Sequence, residues 1–135
     1  MIKQIKESEI ILYVKSQELS TRFYQKLFRC EPNLNVPGMT EFVISEKLKI
    51  GLMPVNGIMQ LLGNGIPSPD LADGIPRCEL YFVVDDIHAE FQHAEGCGAR
   101  IISPVLLRDW GDQVCYFSDP DGHVIAFAHH EDSKR

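Results

Sequence analysis

Glu9 and Glu79 are the residues of this chain best placed for chemistry. Each heads a short apolar strand. By alternation each points away from Ile10/Leu12 or Leu80/Phe82, toward the sheet face that those residues leave open. A carboxylate in such a place can serve as a general base or as a hard oxygen ligand for a divalent cation. Tyr13, Tyr81, Trp110 and Tyr116 offer the aromatic surface that lines small-molecule sites, and Asp109 beside the tryptophan suits a cationic ligand or a turn cap. Of the five histidines, His88 and His93 sit on different faces of a predicted helix. His123 falls in a turn, and His129–His130 begin a charged tail, so exposed structural roles are expected. Cys30, Cys78, Cys97 and Cys115 form no Cys-x-x-Cys pair. They predict reduced, mostly buried thiols rather than a disulfide framework or a zinc site.

The elements that must hold these residues repeat once along the chain. Alternation predicts a strand over Glu9 to Lys15. Ser16 follows as an N-cap, then a helix with Leu19, Phe23 and Leu27 on one stripe. Three extended runs come next, Pro32 to Val36, Thr40 to Ser45 and Lys47 to Met53, broken at Pro37-Gly38 and Ser45-Glu46. A second strand over Glu79 to Val84 is followed by Asp85 or Asp86 as cap and a helix striped by Ile87, Phe91 and Ala94. Gly96 and Gly98 end that helix. Strands over Arg100 to Ser103, Gln113 to Phe117 and Val124 to His129 complete the half. The last two are joined through Asp119-Pro120-Asp121-Gly122, four turn-forming residues in a row.

Strand, cap and helix share one offset of 70 positions (Glu9 to Glu79, Val14 to Val84), which marks an internal repeat of pattern. Module one therefore covers about 5–54 and module two about 77–130 of a single domain. The Gly- and Pro-rich segment 55–76 joins them, with a helical turn at Ile58 to Leu62 and the length of a lid or plain linker. Each helix covers one sheet face, so the expected fold is α+β: two βαβββ modules forming a cupped mixed β-sheet with helices on the convex side.

Bulk composition bounds the function. The chain has 135 residues, 44% hydrophobic and 24% charged, as a globular domain does. Its net charge of −6 argues against nucleic acid. No apolar run reaches the roughly 20 residues of a membrane span. The start, Met1-Ile2-Lys3-Gln4, lacks a signal-peptide layout, so a cytoplasmic protein is expected.

Three stretches resemble the vicinal oxygen chelate superfamily, the glyoxalase, bleomycin-resistance and extradiol-dioxygenase group. Ser20 to Phe28 is similar to the family's first helix, and Tyr81 to Ile87 to its second-module strand and cap. Trp110-Gly111 with Tyr116-Phe117-Ser118-Asp119-Pro120-Asp121-Gly122-His123-Val124-Ile125 resembles its closing hairpin. The resemblance implies a metal centre with four protein ligands, one from the first strand and one from the last strand of each module. Those positions fall on Glu9 and Glu79 and, in the last strands, near Gly51 and on Ala126. Two donors are thus missing, and two carboxylates remain.

Two functions follow from the resemblance. One is a protein that binds or sequesters a small molecule in a concave sheet cavity, with a degraded metal site. The other is a metal-dependent lyase, similar to lactoylglutathione lyase, or a dioxygenase acting on a small oxygenated metabolite. In the second, Glu9 and Glu79 are catalytic or hold Mn²⁺, Mg²⁺, Ni²⁺ or Zn²⁺. In both, Tyr13, Tyr81, Asp109, Trp110 and Tyr116 line the ligand site. The resemblance also implies a homodimer.

Overall fold

A computed structural model describes residues 1–131. The described chain forms two compact units that divide between Asp73 and Gly74, and each carries one βαβββ module.

In the first unit, β1 (Ser8–Val14) leads into α1 (Gln17–Phe28), then β2 (Leu34–Val36), β3 (Met39–Ser45) and β4 (Leu48–Pro54). The sheet order is β1-β4-β3-β2, with β1 parallel to β4 and the other pairs antiparallel. The Ser16 hydroxyl caps α1 by accepting from the Leu19 amide. The helix buries Ser20, Phe23, Tyr24 and Leu27, a set spaced i, i+3, i+4, i+7. Leu19, expected on that stripe, is 49% exposed, because two hydroxyl residues, Ser20 and Thr21, take the inner edge of the helix instead. Thr21 is satisfied there by the Thr40 hydroxyl at 2.9 Å. Leu12, Val14, Phe42, Ile50 and Leu52 complete this core. Glu9, Ile11 and Tyr13 of β1 therefore share the helix-free face with Lys49, Gly51 and Met53 of β4.

Segment 55–73 belongs to the first unit. Its helix α2 (Val55–Leu62) is longer than the turn expected at Ile58, and two 3₁₀ turns follow, at Gly63–Gly65 and Pro69–Ala72.

The second unit repeats the plan with β5 (Glu79–Val83), α3 (Ile87–Gly96), β6 (Arg100–Leu107), β7 (Asp112–Ser118) and β8 (Val124–His130) in the order β5-β8-β7-β6. Of the two expected caps, Asp86 is the one used, accepting from the Ala89 amide at 3.1 Å. Ile87 and Ala94 of α3 are buried on the sheet face bearing Leu80, Phe117, Ile125 and Phe127. The Phe117 and Phe127 rings meet edge to face, 5.0 Å apart. Phe82 is half-buried. β8 reaches past His129, the expected end of the strand, to include His130, which was expected in a charged tail. Their register opposite Gln113 and Asp112 holds them in the sheet.

All four cysteines are free. Cys115 alone is buried, and Cys30 and Cys78 are exposed, contrary to the expectation of mostly buried thiols. Their segments, one just past the end of α1 and one just before β5, face no core.

Candidate functional site

The helix-free face of the second sheet carries a polar chain of Trp110, Tyr81, Asp112 and His130. Alternation puts Glu79, Tyr81 and Val83 of β5 on that face. In register with them stand Ala126 and Ala128 of β8 and Asp112, Val114 and Tyr116 of β7. Val114, Ala126 and Ala128 are fully buried, with the half-buried Tyr81 and Tyr116 packed against them. The result is an apolar floor of small side chains flanked by two phenol rings.

Asp112 closes one end of this face. Its side chain is buried, yet both carboxylate oxygens are met: Oδ2 by the Tyr81 hydroxyl at 2.6 Å and Oδ1 by His130 Nδ1 at 2.8 Å. Burying a carboxylate without such partners would be costly. The Trp110 indole N–H in turn donates to the Tyr81 hydroxyl at 2.9 Å, and the residue is 48% exposed. Trp110 sits at the tip of the β6–β7 hairpin. The Gly111 amide donates there to the Arg108 carbonyl and the Arg108 amide to the Asp112 carbonyl. Gly111 takes φ 95°, the left-handed residue such a hairpin needs. Asp109, on the same tip, is exposed.

Arg108 braces the other side. The β6–β7 ladder slips between Ser103 and Leu106, where Pro104 has no N–H to offer. Arg108 Nη2 fills the gap by donating to the Val114 carbonyl at 3.0 Å and the Ser103 hydroxyl at 2.6 Å. Its guanidinium lies 5.1 Å from the Tyr116 ring centre, and its buried Nε meets no acceptor among the described residues. Burial pushes the Tyr116 phenol up from its ordinary value, the Glu79 charge adds to this, and Arg108 opposes it. Glu79 itself is exposed.

In the first unit Glu9 meets Glu41 of β3, a residue the sequence reading did not single out. Gly51 lies between their strands, paired with Ile11 on one side and Glu41 on the other. A β-carbon at Gly51 would run into Glu9 Oε2, an oxygen that is buried and meets no hydrogen-bond partner among the described residues. Desolvation raises the Glu9 pKa, the hydrogen bond and charge of Glu41 raise it further, and Lys49 acts against both. Lys49 Nζ stands 3.9 Å from the Glu41 carboxylate. Tyr13 is half-buried on the same face.

Asp119, Asp121 and His123 bring one ligand atom each within 4.8 Å of one another. Asp119 is already the keystone of the β7–β8 turn, because its Oδ1 accepts from the amides of Asp121 and His123, both at 2.9 Å.

A four-ligand metal centre does not fit this chain. The glycine at 51 and the alanine at 126 carry no donor atom. Ala126 lies under the tyrosines, and the Glu9 carboxyl is engaged with Glu41.

The model of the glyoxalase-like domain family matches residues 8–130. The chain belongs to that family, and with it to the vicinal oxygen chelate superfamily. It is 30% identical over 104 residues to uncharacterised proteins of Mycobacterium bovis and Mycobacterium tuberculosis. The matched stretch is 75% of this chain, 68% of the M. bovis protein and 61% of the M. tuberculosis one. Among solved structures, a glyoxalase-related enzyme from Fulvimarina pelagi superposes with a TM-score of 0.78 at 19% identity. That match covers 93% of this chain and 88% of the other. A glyoxalase/bleomycin resistance protein/dioxygenase from Nocardioides gives a TM-score of 0.80 at 16% identity, covering 100% and 89%. At these identities the likeness is one of fold.

Proposed function

We propose that this protein binds a small organic molecule on the helix-free face of its second sheet and holds it without a four-ligand metal centre. The observation that carries the reading is Ala126. Where the resemblance implies a metal-binding carboxylate, the sheet has an apolar floor of Val114, Ala126 and Ala128 between Tyr81 and Tyr116. Aromatic walls, a few fixed polar groups and the half-exposed Trp110 are the makings of a small-molecule site. Glu79, at the start of β5, borders the same face in this reading. Two chains pair as a homodimer, and sedimentation at tens of micromolar that finds only monomer would contradict that part.

The second reading, a metal-dependent lyase or dioxygenase, draws on Glu9 Oε2, a buried oxygen that meets no hydrogen-bond partner among the described residues, and on its neighbour Glu41. Two carboxylates suit Mg²⁺ or Mn²⁺ better than Ni²⁺ or Zn²⁺ and bind weakly. Elemental analysis of protein purified without chelator separates the readings. The binding protein carries far less than one divalent ion per chain, and added Mn²⁺, Mg²⁺, Ni²⁺ or Zn²⁺ leaves its melting temperature unchanged. Stoichiometric metal would favour the enzyme.

A further inference from the structure

We propose that Asp112 is a positioning residue for Trp110: acting through Tyr81, it fixes the exposed indole as a flat face on which a planar aromatic ligand stacks. The proposal rests on the reading that this sheet face holds the ligand, and it adds the ligand class and the residue that sets the geometry.

The Tyr81–Asp112 separation of 2.6 Å is that of a hydroxyl donating to an ionised carboxylate. A carboxylate can only accept, so the single phenolic proton of Tyr81 is committed to Asp112. The Tyr81 oxygen is thereby left as an acceptor toward Trp110, and an indole N–H can only donate. The chain of bonds thus runs one way, from Trp110 through Tyr81 to Asp112. His130 meets the other carboxylate oxygen, so its Nδ1 carries the proton there.

Burial makes the arrangement rigid at one end and open at the other. Asp112 is fully buried, and it begins β7 directly after the Gly111 turn, so its place is set by the sheet. Trp110 stands on the hairpin tip with about half its surface exposed. An indole on an exposed hairpin tip can sample several rotamers unless something holds the N–H. Tyr81, anchored in β5, does so from across the sheet. Stacking then costs the ligand little ordering of the protein, which is how preorganisation raises affinity. A flat aromatic face favours a planar aromatic partner in offset contact.

Trp110 is the only tryptophan, so its fluorescence reports this geometry without a ligand. Tyr81→Phe, Asp112→Asn and the double variant are compared with the parent protein by fluorescence anisotropy, acrylamide quenching and melting temperature. Asp112 faces Tyr81 and His130, so all measurements are made at one pH. Losing its acceptor should raise the population of displaced indole about five-fold in Tyr81→Phe. Asp112→Asn keeps an acceptor oxygen but offers the Tyr81 oxygen a competing N–H, so it should raise that population in the same direction by less, and no rise at all would overturn the proposal. The double variant should match Tyr81→Phe, because Asp112 acts through the phenol. The proposal is overturned if Tyr81→Phe leaves anisotropy and quenching unchanged. It is also overturned if Asp112→Asn loosens Trp110 further in the Tyr81→Phe background. Should Asp112→Asn not fold, Asp112→Glu, whose longer side chain shifts the carboxylate away from the Tyr81 hydroxyl, takes its place with the same two deciding outcomes. The probe 8-anilinonaphthalene-1-sulfonate tests the face itself. If apo Trp110 loosens as expected but the probe binds parent and Trp110→Ala alike, positioning stands and the ligand-face reading fails.

Discussion

Glu41 lies against Glu9 on the helix-free face of the first sheet, two carboxyl groups in contact with Lys49 beside them. The register makes the pairing inevitable. Glu9 neighbours Lys49 across β1–β4, and Glu41 neighbours Gly51 across β3–β4. Gly51 leaves the space between them unfilled, so two side chains from strands that are not neighbours can touch. Two carboxylates so close resist ionising together.

That contact gives stability a pH dependence of known sign. The folded-state pKa of Glu9 is raised, chiefly by desolvation and then by Glu41. Its contribution is therefore fully present below the ordinary carboxylate value and is lost as pH rises through the raised one. Glu9→Gln imitates the protonated form. Urea denaturation should find the variant gaining on the parent as pH rises from about 4 to about 8, by up to about 1 kcal/mol. A difference that is the same at both ends would show that Lys49 already neutralises the pair.

Arg108→Met should destabilise the protein by about 1–3 kcal/mol in the same assay, since the Val114 carbonyl and the Ser103 hydroxyl lose their donor. Arg108→Lys should recover little of this, because an ammonium cannot span both acceptors while stacking on Tyr116. Full recovery by lysine would mean that charge alone matters there.

Asp119→Ala should cost about 1–3 kcal/mol, because the amides of Asp121 and His123 lose their shared acceptor. Asp119→Asn keeps an acceptor oxygen and should cost less. If adding Mg²⁺ or Mn²⁺ raised the parent's melting temperature and not that of Asp119→Asn, the trio with His123 would be a cation site rather than a turn.

Phe23→Ala should cost roughly 3–5 kcal/mol, as Phe23 is 6% exposed beneath α1. Phe82→Ala should cost less. Phe82 is half-buried where Phe23 is buried, so less apolar surface is lost with its ring. Equal losses in chemical denaturation would contradict that difference in packing.

The repeat, the caps and the strand faces were legible in the sequence because each depends on neighbours a few residues away. Ser16 and Asp86 cap as their side chains dictate, and Leu12, Val14 and Leu80 take the buried face by alternation. Trp110 and Tyr81 stand out in the sequence as aromatic residues that could line a ligand site, but the bond between them does not. Asp112 follows a turn glycine and reads as an exposed hairpin residue. Its burial comes from β5 and β8, strands remote in sequence. The available signal was alternation along β7, which puts Asp112, Val114 and Tyr116 on one face. His130 was missed for a related reason: next to Glu131 it looks like tail, and only its pairing with Asp112 makes it strand. Glu41 gave no sign, because its importance depends on the small residue opposite it, Gly51.

The most direct test of the account is to map where small molecules bind. Amide and indole resonances of isotope-labelled protein are followed while planar aromatic compounds are added, first without metal and then with Mn²⁺ replaced by diamagnetic Mg²⁺ or Zn²⁺. The account predicts metal-independent shifts at the Trp110 indole, Tyr81, Ala126 and His130, lost in Trp110→Ala. Shifts that appear only with metal and centre on Glu9 and Glu79, leaving Trp110 untouched, would contradict it.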